Sequence, residues 1–227
     1  MKKLLRAIPI LLIVVGIALG GYGIYSMTLG DSQLAGEQQN KALSYKPVPD
    51  GLSYTNAFMP ADKATHIGDI FGRLYVPRFG AHYVRLIGQG TVWHPVLNEI
   101  GIGHYVSSAL PGEVGNFAIA AHRGGFGGSF HDIHRLTTGD LVYVETEAGW
   151  FSYEYLATKI VDPSDTSVLK PVPPELKGST AGEKYLTMTS CTPIWVNTHR
   201  IVVWFKQIGA RSRAQGPFPA LAWAQKR

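Results

Sequence analysis

The sequence predicts an all-β domain, a closed β-barrel or a sandwich with a few short helices, preceded by one N-terminal transmembrane helix. Three observations carry that prediction. Residues 7–30 contain no charged side chain. From about Ile67 onward, short runs rich in Val, Ile and aromatic residues alternate with Gly, Pro and Asp, the texture of strands and turns. The 227 residues suffice for one sizeable core plus appendages, and leave little room for a second.

As a helix rising about 1.5 Å per residue, residues 7–30 would reach roughly 36 Å, enough to cross a hydrocarbon core of about 30 Å with some tilt. Pro9 falls in the first turn of this stretch, where a missing N–H costs least, and Tyr22 and Tyr25 suit the far interface. Lys2, Lys3 and Arg6 precede it while Asp31 and Glu37 follow. Residues 1–6 are therefore expected to form a cytoplasmic basic flank, with the rest of the chain outside. A cleaved signal peptide is the competing reading, but the apolar stretch exceeds a usual h-region and no clear small-x-small site closes it.

Residues 31–66, with Lys-Pro-Val-Pro-Asp-Gly at 46–51, keep neither helical nor strand periodicity for long and read as an extracytoplasmic linker. Strands are expected near 70–76, 82–88, 117–121, 140–147, 150–161, 184–190 and 199–206. Glu147-Ala-Gly149 provides the Gly-bearing turn of a hairpin. Short helical pieces are expected around 94–100 and 130–136. Seven or eight strands with few helices suggest a closed barrel or a sandwich. Residues 207–227 form a basic tail whose apolar patch, Phe218 to Trp223, is too short to span a membrane.

The net charge of +5 is a property of the ends. Residues 7–205 carry 13 basic and 16 acidic side chains, so the globular part is mildly acidic and lacks the clustered basic face that nucleic-acid binding requires. No Asp/Glu group has calcium-loop spacing and no Cys/His set suits zinc, so neither a metal nor another cofactor is expected.

The single cysteine is the most informative residue. A free thiol outside the reducing cytoplasm oxidises or scrambles, so an exported chain that keeps one needs a reason. Either Cys191 is a buried, inert small hydrophobe or it is a nucleophile. It ends the alternating run Tyr185-Leu-Thr-Met-Thr-Ser-Cys, and Pro193 follows two residues on, which places it at a strand end. A free thiol is only a few per cent ionised at neutral pH, so nucleophilic chemistry needs a nearby base or positive charge.

Among eight histidines, His122 also closes an apolar run, Asn116-Phe-Ala-Ile-Ala-Ala-His, before a Gly-rich loop. His199 lies eight residues after Cys191, but strand alternation puts His199 and Arg200 on opposite faces, so only one of them readily points at the thiol. Arg200 is preferred. A fixed guanidinium donates charge-assisted hydrogen bonds to a developing oxyanion, and losing one such donor costs about 3 to 4 kcal/mol. A hydrogen-bonded structural His and a solvated strand-end Arg are the plainer alternatives.

Together with the N-terminal anchor, Gly-His-Tyr at 103–105, Leu-Pro-Gly-Glu-Val-Gly-Asn-Phe-Ala-Ile-Ala-Ala-His-Arg at 110–123, and Leu-Thr-Met-Thr-Ser-Cys-Thr-Pro with an Arg nine residues past the Cys resemble the sortases. The likeness covers roughly residues 67–206. Cys-Thr-Pro and the Arg-Ile-Val-Val-Trp strand are most similar to the class E sortases of actinobacteria. The resemblance implies a closed eight-stranded sortase-type β-barrel at 67–206 and a Cys191, His122, Arg200 site, with Tyr105, Ala121, Thr189 and Ser190 beside the substrate. It also implies a membrane-anchored cysteine transpeptidase.

Such an enzyme cleaves a sorting signal of Leu-Ala-x-Thr-Gly or Leu-Pro-x-Thr-Gly type between Thr and Gly. It passes through a thioacyl enzyme and joins the surface protein to a cell-wall amine. Two departures stand out: Thr187-Met-Thr-Ser-Cys191 replaces Thr-Leu-x-Thr-Cys, and Ala121 replaces the usual Gly, a methyl expected to narrow the acyl pocket. A pilin-polymerising sortase would carry an Asp-Pro-aromatic lid in residues 31–66, which the sequence lacks. A non-catalytic surface-binding module is the remaining alternative, and it would leave Cys191 dispensable.

Overall fold

Eight strands close into one barrel in the computed structural model, which describes residues 2–47 and 57–226. They are β1 (Ile70–Tyr75), β2 (Val84–Gln89), β3 (Gly101–His104), β4 (Gly115–Ala121), β5 (Leu141–Thr146), β6 (Gly149–Val161), β7 (Lys184–Thr192) and β8 (His199–Ser212). Around the barrel the order is β8, β6, β5, β1, β2, β3, β4, β7 and back to β8. The neighbours β2/β3 and β4/β7 run parallel, and the other pairs antiparallel. Inward-facing alternate residues fill the interior, among them Phe117, Ile119, Leu186, Met188, Ile201, Val203 and Phe205.

Seven strands fall where the sequence predicts them, and β8 runs on to Ser212. The eighth, β3, is the short Gly-Ile-Gly-His, which has too few side chains to show alternation. The expected helix near 94–100 is present as Trp93–Ile100, while that near 130–136 shrinks to one tight turn, Ile133–Arg135.

Helix α1 spans Lys2–Ser44, so Pro9 sits inside it. Its portion from Pro9 is long and apolar enough to cross a membrane, with a mean hydropathy of 2.0 and none of that window buried in the protein. Residues 31–44, which lack helical periodicity in sequence, continue this helix and dock on the barrel, burying Gln38 and Ala42. The 48–51 part of the Pro/Gly-punctuated stretch lies outside the described residues, as do Met1 of the basic flank and Arg227 of the tail.

The end of α1 is tied down by a buried ion network. Arg73 Nη1 donates to the carbonyl oxygens of Ala42 (2.8 Å) and Tyr45 (3.2 Å), while Arg73 Nε pairs with Glu145. Glu145 also accepts from Tyr75 (2.6 Å) and Arg213 (2.6 Å). Burial alone would raise the Glu145 carboxyl, but the hydrogen bond and charge of Arg73, aided by Arg213, hold it below its ordinary value. The tail folds back over the same face: Leu221 is buried, Phe218 lies 5.3 Å from Tyr143 and Trp223 lies 5.9 Å from Tyr75, ring to ring.

At the end of β3, His104 is buried between Phe71 and Phe117, with Nδ1 2.6 Å from Gln89 Oε1. Burial pushes its pKa down from 6.5 to about 4. The unfolded chain therefore binds a proton through a window where the fold does not. The associated stability is complete above pH 6.5 and is lost as the pH falls toward about 4, at about 3 kcal/mol for this group. Urea unfolding should show this decline between those pH values, and His104→Gln should flatten it. An undiminished slope in that variant would assign the decline elsewhere.

Candidate active site

Strand register decides which side chains meet. In the antiparallel pair β7/β8, Cys191 stands directly opposite Arg200, so both side chains leave the same face. In the parallel pair β4/β7, Ala120 is in register with Thr189. Two residues further along each chain, His122 comes beside Cys191. Because Phe117, Ile119 and Ala121 face the barrel interior, Ala120 and His122 face out, as do Thr189 and Cys191 beside inward Met188.

Three adjacent strands, spaced about 4.8 Å apart, thus deliver a thiol, an imidazole and a guanidinium to one outward groove. The groove has a volume of about 490 Å³, and all three residues line it. Tyr105, Thr189, Trp93 and Trp195 complete much of its wall.

Cys191 is half-buried and free, and its Sγ has no hydrogen-bonding partner among the described residues. His122 is held more tightly. Its Nε2 lies 2.9 Å from Asn98 Oδ1, which can only accept, so Nε2 carries the hydrogen and Nδ1 is left as the exchangeable nitrogen. The amide of Asn98 in turn donates to His94 Nε2 (2.9 Å), whose Nδ1 faces Glu99 (3.1 Å). Phe126 and Trp93 wall the imidazole at ring distances of 5.0 and 5.9 Å. This burial lowers the His122 pKa and favours the neutral ring.

Arg200 Nη1 donates to the carbonyl oxygens of Asn197 (3.2 Å) and His199 (3.0 Å). The guanidinium is thereby anchored on the turn before β8, while Nε and Nη2 have no acceptor among the described residues. His199 pairs with Thr192, is exposed, and bonds its neighbour Thr198 (3.0 Å). It does not line the groove.

The four expected substrate-side residues divide by face. Tyr105 and Thr189 point into the groove, their hydroxyls 3.1 Å apart. Ala121 and Ser190 also border it, but Ala121 belongs to the barrel core, and Ser190, next but one to inward Met188, donates to the Ala121 carbonyl at 2.7 Å. The Ala121 methyl packs with the barrel core while the residue still borders the groove.

Several residues at the site had no role assigned from sequence. Asn98 sits on the Trp93–Ile100 segment, a π-helix kinked at His94, and Arg123 crosses to Thr192 Oγ1 (2.5 Å), fastening the end of β4 to the end of β7. Gly124 was visible only as one of a glycine cluster. A Cβ there would meet Ile194 Cγ2 at 2.9 Å, so its absence lets the 194–195 turn close over the loop after His122.

Residues 74–208 match the family model for the Sortase domain. Among characterised proteins, the chain is similar to Sortase SrtE1 of Streptomyces coelicolor, with 34% identity over 160 residues, covering 68% of this chain and 45% of that one. It is also similar to Sortase SrtE2 of the same organism, with 32% identity over 202 residues, covering 86% and 78%. Among solved structures, sortase E from Streptomyces avermitilis superposes with a TM-score of 0.62 at 34% identity, covering 69% of this chain and 99% of that one. The order of strands, the family match over most of the barrel and these relatives agree, and the chain belongs to the sortase family.

Proposed function

We propose that the protein is a membrane-anchored cysteine transpeptidase that cuts a sorting signal of Leu-Ala-x-Thr-Gly or Leu-Pro-x-Thr-Gly type between Thr and Gly and transfers the acyl chain to a cell-wall amine. The observation that carries this reading is the register that lines up His122, Cys191 and Arg200 on adjacent strands. α1 serves as the anchor. Its basic flank stays in the cytoplasm and the barrel faces outward, where substrate and acceptor meet.

His122 Nδ1 first takes the Cys191 thiol proton; the resulting thiolate attacks the Thr carbonyl carbon, and the negative charge that develops on oxygen is met by the unengaged N–H groups of Arg200. As the C–N bond breaks, His122 gives its Nδ1 proton to the departing glycine amine, leaving a thioester. An incoming amine then attacks that thioester while His122 takes its proton, and the thiolate leaves. Nε2 stays engaged with Asn98 throughout, so the imidazole exchanges protons without turning.

The peptide lies along β7. A smaller hollow of about 150 Å³ continues the groove past Arg200 and is lined by Tyr105, Val168, Thr189 and Val202, which suits an apolar side chain of the signal. Tyr105 and Thr189 belong to both spaces, so they set what fits at the junction.

Full-length protein in detergent micelles, incubated with both peptide types and an amine, should yield the amine-capped product and an acyl adduct on Cys191 by mass spectrometry. Cys191→Ala should abolish both. Cleavage that survives this change would end the reading of Cys191 as the nucleophile, and absence of cleavage and adduct in the wild type would favour a non-catalytic module. Arg200→Ala should lower kcat on the order of 10²-fold or more. Tyr105→Phe, which removes the hydroxyl facing Thr189, should raise KM about fivefold with kcat nearly unchanged. A kcat effect instead would place Tyr105 in the chemistry.

A further inference from the structure

Gln38 is 2% exposed, yet it lies on α1 only eight residues beyond the last of the uncharged stretch. Its side-chain amide is fully employed. Nε2 donates to the carbonyl oxygen of Asn98 (3.3 Å) and to that of Phe126 (3.2 Å), while Oε1 accepts from Ser129 Oγ (3.3 Å). The two carbonyls belong to residues whose side chains hold His122: Asn98 bonds Nε2, and Phe126 walls the ring. They come from different elements, one from the helix before β3 and one from the loop after β4.

The space around the amide has been cleared for it. A Cβ at Gly127 would meet Gln38 Oε1 at 2.7 Å, and one at Gly101 would meet it at 3.1 Å. Both glycines have left-handed backbones, with φ of +78° and +109°, so at these two positions a side chain is excluded by conformation as well as by space. The titratable groups on this side of His122 are His94 and Glu99, reached through Asn98, and the His131 imidazole, which faces the Arg123 carbonyl.

We infer that Gln38 is a positioning residue for His122, through which docking of the anchor helix on the barrel sets the orientation of the site's imidazole. This rests on the reading of His122 as the acid and base of the reaction. One amide fixes two backbone points, and those points fix the hydrogen-bond acceptor and the aromatic wall of the ring. When residues 31–44 leave the barrel, both supports lose their common tie and the ring is free to turn.

The test compares full-length wild type with Gln38→Leu, which keeps similar bulk and removes every hydrogen bond, and with Gln39→Ala. Gln39 sits on the same stretch of helix and bonds Arg85 Nη1 (3.1 Å), away from His122. Isotope-labelled histidine NMR in micelles reads the tautomer and titration of His122, assigned with His122→Asn. Peptide turnover gives kcat and KM, and thermal melts give stability.

Gln38→Leu should lose the fixed Nε2–H tautomer, move the His122 titration up toward 6.5, and lower kcat about tenfold with KM within about twofold. Gln39→Ala should change neither signature, whatever it does to the melt. A wild-type imidazole signature in Gln38→Leu, or the same changes in Gln39→Ala, overturns the inference. If Gln38→Leu does not fold, Ser129→Ala decides: loosening Oε1 should move the imidazole signature in the same direction by less, and no movement overturns it. An inactive wild type would refute the transpeptidase reading alone, because the NMR comparison still tests whether Gln38 holds the ring.

Discussion

The site depends on the register of three neighbouring strands. Side chains alternate faces along each strand, so a one-residue slip of β4 or β8 against β7 would send His122 or Arg200 toward the interior. The core resists that slip. Phe117 and Ile119 on β4, Leu186 and Met188 on β7, and Val203 and Phe205 on β8 are all buried inside the barrel. A slip would exchange them for Ala118, Ala120, Thr187, Thr189, Val202 and Trp204, leaving voids and unpaired hydroxyls in the interior. Polar pins reinforce the same register. Thr187 Oγ1 donates to Asn116 Oδ1 (2.7 Å), Ser190 Oγ to the Ala121 carbonyl, and Arg123 to Thr192. The hydrophobic interior thus positions a polar exterior that it does not touch.

Within the groove the three groups occupy different surroundings. The sulfur is half-open, the imidazole sits in an aromatic wall with one nitrogen committed to Asn98, and the guanidinium leans on the carbonyls of a solvent-exposed turn. Burial falls chiefly on the group that must stay oriented in both protonation states. A ring committed at Nε2 can gain and lose a proton at Nδ1 without breaking its support, whereas a ring free at both nitrogens must be reoriented for each transfer.

Much of this was legible in the chain because the key residues close visible patterns. Cys191 ends an alternating run and His122 an apolar one; parity puts His199 and Arg200 on opposite faces, and guanidinium chemistry selects Arg200. The same parity, counted from Phe117, puts Ala121 with the barrel core, although the residue also borders the groove. Other features left no pattern. Strand β3 has four residues, two of them glycine, with too few side chains to alternate. The docked part of α1 buries Gln38 and Ala42, an amide and a methyl one helical turn apart, which together make no apolar stripe. Asn98 and Gln38 act through partners at sequence separations of 24 and 60, a distance over which local spacing carries no information.

The arrangement also constrains how the second substrate of the proposed reaction arrives. The hollow past Arg200 is the continuation of the groove in which the signal's apolar side chain would lie, so that end is filled while the thioester exists. In that reaction the acceptor amine would still have to come within reach of His122 Nδ1, the nitrogen proposed to remove its proton. The approach that remains runs past Trp93, Phe126 and Trp195, exposed by 64%, 41% and 70%. An aromatic rim at this mouth would favour, in the proposed reaction, an acceptor that carries carbon framework to bury beside its amine, and would offer little to a lone water. Partition between transfer and hydrolysis would then be governed at the His122 end of the groove, and the helix that steadies His122 lies against the same loop through Gln38 and Phe126.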